Sequence, residues 1–163
     1  MKRINIYIFL LFIFFSFSGL KSYSFIPQDT LGRHLWYIEL IGVNYGISFN
    51  YEYIFSKDTI LKISLRTGIG GTFFFISRYG IPIMINFIIG RVDCVDIGLG
   101  LLFDKVKYLG IEDYPTQAIK FIGNIGYRYI GDSGFLFKIG LTPIYHADRG
   151  FLPIIGIGLG HYF

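Results

Sequence analysis

The sequence predicts an all-β chain: an eight-stranded antiparallel up-and-down transmembrane β-barrel preceded by a cleaved signal peptide. Three observations predict it. The chain is rich in apolar and aromatic residues and poor in charge. Beyond the first two dozen residues no apolar run reaches the roughly 18 residues that a membrane helix needs. The remainder alternates with a period of two in about eight segments separated by polar links.

The 163 residues suffice for one domain. Hydrophobic residues make up 53% and charged residues 16%, whereas soluble domains carry about 25% charged residues. The net charge of +4 comes from basic residues scattered singly, so no stripe exists to follow a nucleic-acid backbone and no nucleic-acid partner is expected. The lone Cys94 excludes an internal disulfide and cysteine-based metal schemes. No cofactor is expected.

Lys2 and Arg3 precede an apolar stretch from Ile4 to about Phe17, and Ser18, Gly19, Ser22 and Ser24 follow as the small residues of a cleavage site. Residues 1–24 are therefore expected to be a signal peptide cut near Ser24, leaving 25–163 as the barrel. An uncleaved anchor helix is the alternative, since the apolar run approaches spanning length.

Segment one, about Arg33 to Leu40, places Trp36, Ile38 and Leu40 opposite Tyr37 and Glu39. Segment two is the clearest: Tyr45, Ile47, Phe49, Tyr51, Tyr53 and Phe55 alternate with Gly46, Ser48, Asn50, Glu52 and Ile54. Segment three sets Leu61, Ile63, Leu65, Thr67 and Ile69 against Lys62, Ser64, Arg66, Gly68 and Gly70. Segment four, Ile81 to Gly90, is apolar on both faces apart from Asn86. Segment five opposes Val95, Ile97, Leu99, Leu101 and Phe103 to Cys94, Asp96, Gly98 and Gly100; segment six opposes Ile119, Phe121, Ile125, Tyr127 and Tyr129 to Lys120, Asn124, Gly126 and Arg128. Segment seven alternates from Phe135 to Tyr145 around Lys138, and segment eight runs from about Leu152 to Phe163.

A soluble sandwich would also alternate, with its apolar face as core. The polar face here is mostly Gly with single spaced charges, which suits a crowded barrel interior; a water-facing sheet would be richer in Lys, Glu and Thr. Trp36, Tyr51, Tyr53, Tyr127, Tyr129 and Tyr145 fall toward segment ends, where interfacial aromatic girdles lie. The links Ser56–Thr59, Gly90–Asp93 and Gly131–Gly134 are short, while Gly71–Gly80 and Asp104–Gln117 are longer, the parity of outer-membrane barrels with both termini in the periplasm. The first link, near Ile41 to Asn44, would be an outer loop by this parity yet is very short.

The chain ends with Leu159, Tyr162 and terminal Phe163, which resembles the C-terminal signal by which outer-membrane barrels are recognised for insertion. With segments such as NYEYIF, IPIMINFIIG, IGYRYIG and FKIGLTPIY, the mature region resembles small eight-stranded outer-membrane β-barrel proteins. The resemblance implies a location in the outer membrane of a diderm bacterium, with outer-membrane lipid and the barrel insertion machinery as partners and a monomeric state. It implies no catalytic residues.

Glu39, Glu52, Lys62, Arg66, Asp96, Lys120, Arg128 and Lys138 are expected to point into the lumen. An eight-stranded barrel is just wide enough to be filled by side chains, and buried charges must be paired, so an internal ion-pair network is expected. The corresponding function is a structural or interaction role at the cell envelope, without enzymatic activity. One alternative is a small conduit. Another is a lipid-modifying enzyme, for which His146 with Asp148 is the one candidate pair.

Overall fold

The computed structural model describes residues 32–56, 60–72, 76–108, 116–131, 133–146 and 150–163. The expected signal peptide, 1–24, lies outside them, as does Asp148 of the His146–Asp148 pair. Eight strands close into one barrel, each antiparallel to its sequence neighbours and the last to the first. They are β1 His34–Ile41, β2 Gly46–Ile54, β3 Leu61–Thr72, β4 Ile76–Gly90, β5 Asp93–Tyr108, β6 Thr116–Ile130, β7 Phe135–His146 and β8 Gly150–Tyr162. Among the described residues no helix is long and apolar enough to cross a membrane. Closure leaves no strand edge unpaired.

Alternation sets the two faces. On β3, Lys62, Ser64 and Arg66 point inward and are buried while Leu61, Leu65 and Ile69 are exposed. β4 shows how a segment apolar on both faces is used: Met84 and Ile88 fill the lumen, and Ile81, Ile83, Ile85, Phe87 and Ile89 face outward. The outer surface is thus a continuous apolar belt, on which Leu99 is 70% exposed. Aromatic groups gather at the end where the chain finishes. There His34 shares a 2.5 Å hydrogen bond with Tyr51 and stacks on Phe163 at 5.6 Å.

Closure of β1 on β8 runs as a regular ladder from Leu35–Tyr162 to Ile41–Gly156 and is extended by two bonds between His34 and Phe163, of 3.2 and 2.8 Å. Proline marks two gaps in the wall. Pairing of β3 with β4 lapses between Thr67–Ile83 and Gly70–Gly80, beside Pro82, and that of β6 with β7 lapses beside Pro143. Proline has no N–H to give the ladder.

The strand bounds correct the expected link lengths. β4 begins at Ile76, β5 continues to Tyr108 and β6 begins at Thr116, so much of the stretches read as long links, 71–80 and 104–117, is barrel wall. The reason is that the inward parity persists there: Gly80 and Arg78 continue the row of Asn86, Met84 and Pro82, and Asp104 continues that of Asp96, Gly98 and Gly100. The short-and-long parity of the links does not survive.

The first link turns into the lumen. Gly42–Asn44 forms a 3-10 turn whose three residues are all buried, and it touches β3, β4, β7 and β8 across the bore. The reversal needs left-handed backbone at Ile41 (φ 66), Gly42 (φ 44) and Tyr45 (φ 61). Glycines in the wall make room for it: a Cβ on Gly80 would lie 2.3 Å from Asn44 Oδ1, and one on Gly156 would lie 2.9 Å from the Gly42 Cα. The connection read as a very short outer loop is therefore an inward turn, which explains its length.

Candidate functional site

The lumen is layered from the end that holds the chain terminus to the opposite mouth. First comes an apolar layer of Leu35, Tyr37, Ile54, Ile88, Cys94, Ile130, Leu136 and Tyr162. An ion belt follows. Beyond it lies a second apolar layer of Val43, Met84, Leu102, Ile122 and Ile144, with Tyr45 and Ile154 packed against it. Arg78, Asp104 and Lys120 occupy the far mouth.

Arg128 of β6 is the centre of the belt and is wholly buried. Its guanidinium reaches across the bore to β2, where Nη2 donates to Glu52 Oε2 at 3.0 Å. The same group donates to Asp96 Oδ2 at 2.8 Å and, through Nη1, to the Tyr162 hydroxyl at 3.0 Å. Ser64 donates to Glu52 from the neighbouring strand. Lys138 Nζ lies 2.9 Å from Asp96 Oδ2, so one carboxylate meets two cations.

A second pair sits beside it. Arg66 donates to Glu39 at 2.5 Å and to Asn50 Oδ1 at 2.9 Å, and Asn50 donates to Ser48 at 2.9 Å. The Tyr37 ring joins the two pairs, with the Arg66 guanidinium 5.2 Å and the Lys138 ammonium 5.1 Å from its centroid. Glu39, Glu52 and Asp96 thus oppose Arg66, Arg128 and Lys138, and formal charge cancels within the belt. Burying such charges costs several kcal/mol per ion unless pairing and hydrogen bonds offset it. The belt meets most of that demand, although Asp96 Oδ1, Arg66 Nη1, Lys138 Nζ and the neighbouring Tyr37 hydroxyl have no hydrogen-bond partner among the described residues.

The eight residues singled out from the sequence therefore fall into three places. Six form the belt. Lys62 stands apart near the chain-terminus end, donating to the Gly90 carbonyl at 2.7 Å. Lys120 stands at the far mouth, bound to Asp104. Asp104 also receives Arg78 Nε at 2.8 and 3.0 Å, and Arg78 lies over the Tyr45 ring at 3.6 Å.

Sequence reasoning missed Arg78 and Asp104 because it placed them in links; extending the inward parity by two positions would have found both. It also missed Tyr162, taken only as part of the C-terminal signal with Leu159 and Phe163. Leu159 and Phe163 face outward, whereas Tyr162 is buried against Arg128. Ser64 and Asn50 carried no signal beyond their place on the polar face. Among the described residues no group of three or more His, Cys, Asp or Glu could hold a metal ion.

No family model matches the chain, and no curated protein sequence does. Among solved structures, the backbone is similar to the N-terminal β-barrel domain of Pseudomonas aeruginosa OprF, with a TM-score of 0.60 and 12% identity over 82% of this chain and 100% of that one. A second match, the Yersinia pestis outer membrane protein Ail, has a TM-score of 0.49 and 12% identity over 81% of this chain and 99% of that one. At such identity the likeness concerns architecture: the chain shares the closed eight-stranded antiparallel barrel of the OprF domain.

Proposed function

We propose that this chain is an outer-membrane barrel with a structural or interaction role at the cell envelope, exported through its N-terminal segment and non-enzymatic. The observation that carries this reading is the pairing of a continuous apolar outer belt with a lumen closed by two apolar layers around a neutralised ion belt. In lipid, a closed barrel is the sheet form that satisfies every backbone group. A bore filled in this way leaves nothing for ions to follow, so the structural reading is preferred to a conduit. Outer-membrane lipid and the insertion machinery are the partners, and the barrel works as a monomer with its chain terminus toward the periplasm.

The test combines fractionation of the expressed protein with gel mobility before and after boiling, N-terminal sequencing and planar-bilayer recording. The reading expects an outer-membrane, heat-modifiable band that begins near Phe25 and shows no single-channel steps. A soluble or inner-membrane protein retaining Met1 would overturn it.

A further inference from the structure

The wall of the barrel is uneven at one end only. At the chain-terminus end the strands finish level and are tied to one another by bonds such as Ile54 N–H to the Arg33 carbonyl at 2.9 Å and Tyr162 N–H to the Gly134 carbonyl at 2.8 Å. The difference in length therefore appears at the far mouth. β1 and β2 have 8 and 9 residues, while β4, β5 and β6 have 15, 16 and 15. At about 3.3 Å per residue and a tilt of about 40°, β1 rises roughly 20 Å and β5 roughly 40 Å. The apolar band of such a barrel is about 25 Å tall. The β1–β2 lip thus ends below the outer headgroups, and its tip carries exposed Leu40, Ile41 and Ile47 without a polar rim.

Across the mouth from this lip stands the tall wall, with Arg78 on β4, Asp104 on β5 and Lys120 on β6. This cluster differs from the belt in two ways. Its cations keep contact with the surroundings, their side chains being 17% and 10% exposed against 0% for Arg66 and Arg128. Two cations also share one carboxylate, leaving, among the described residues, one positive charge without a counter-charge inside the cluster. Tyr45, at the tip of the lip between the 3-10 turn and Gly46, covers one face of Arg78.

We propose that the low β1–β2 lip opens the barrel mouth sideways to the outer leaflet and that Arg78 and Lys120 bind the phosphate of a lipid headgroup entering there. The lipid's chains lie on Leu40, Ile41 and Ile47 while its phosphate supplies the charge that Asp104 alone does not. Arginine suits this role because its planar guanidinium carries five donors, so the Nε and Nη2 edge that holds Asp104 leaves others for a phosphate oxygen. The inference rests on the membrane reading above and adds a ligand to it.

Full-length protein matured by its own host and reconstituted in phosphatidylcholine vesicles tests it, with trace spin-labelled phosphatidic acid compared against spin-labelled phosphatidylcholine for motional restriction at the barrel. The expected result is a preference for phosphatidic acid that falls about fivefold in Arg78→Gln and again in Lys120→Gln. Arg78→Lys, which keeps the charge but not the fork, should lose part of it, and Lys105→Gln, which removes an outward-facing cation of the same wall, should leave it unchanged. A heat-modifiable barrel with no such preference, or with the same preference in both Gln variants, overturns the inference and leaves the membrane reading intact. Binding of inorganic phosphate without preference for the phosphatidic acid overturns the lipid as its source. A chain that is not heat-modifiable overturns the membrane reading and this inference together.

Discussion

Arg128 donates to two carboxylates and a phenol from three other strands, so its removal strands more than one partner. Arg128→Met should destabilise the barrel by about 3–5 kcal/mol, the range for breaking a buried pair, as measured by urea unfolding in vesicles. Adding Glu52→Gln should recover a large part of that loss, because it removes the carboxylate left without its cation; a strictly additive double mutant would show that the two groups are not coupled. On the outer face the opposite substitution is costly. Leu99→Arg places a charge near the middle of the lipid belt and should cost about 2–4 kcal/mol. If the same unfolding assay finds it neutral, the face assignment is wrong. These inward and outward assignments were legible in the sequence wherever polar and apolar residues alternated, as from Gly46 to Phe55, but Tyr45, read as outward with Ile47 and Phe49, packs inward against the second apolar layer because its left-handed backbone breaks the alternation before β2 begins. They were not legible for Tyr162, whose type fits either face and whose hydrogen bond depends on a strand far away in sequence.

Among the elements, the inward-folded first link has the most specific demands. Gly42 combines a positive φ with a Cβ position 2.5 Å from the Glu39 carboxyl carbon, so Gly42→Val should cost about 1–3 kcal/mol through backbone strain alone. Gly80→Val acts from the opposite wall, where its Cβ would lie 2.3 Å from Asn44 Oδ1. Both variants should lower the temperature at which the folded gel band is lost, and both should render the link cleavable by added protease. Resistance equal to the wild type would mean that the lumen does not depend on this turn. The sequence marked this link as an unusually short outer loop, and its inward destination could not be read. That depends on small residues in β4 and β8, which become its neighbours only when the wall curls. The ends of β4, β5 and β6 were missed for a different reason: Gly, Arg and Asp are common in loops, and local composition outweighed the parity that continued through them.

For the molecule as a whole, the layering decides between a filled barrel and a conduit. Either apolar layer alone closes the bore, so a single substitution in one of them should not create a pore. Reducing both, with Leu102→Ala beyond the belt and Leu136→Ala before it, should produce small conductance steps in planar bilayers where the wild type gives none. Steps in the wild type would return the conduit reading to first place.

The reach of Arg128 across the bore has a consequence for how the barrel assembles. Its partner Glu52 is 76 residues away along the chain and stands on the opposite wall, so no pair of adjacent strands can bring the two together. An incomplete, open sheet would hold an ionised guanidinium with only part of its hydrogen bonding against an apolar surround. The final joining of β1 to β8 is thereby rewarded more than any earlier pairing, which makes assembly all-or-none and slow in the manner of chains dominated by distant contacts. Refolding into vesicles should accordingly pass from an unstructured adsorbed chain to the heat-modifiable form without a stable half-barrel, and loss of Arg128 should blur that single step.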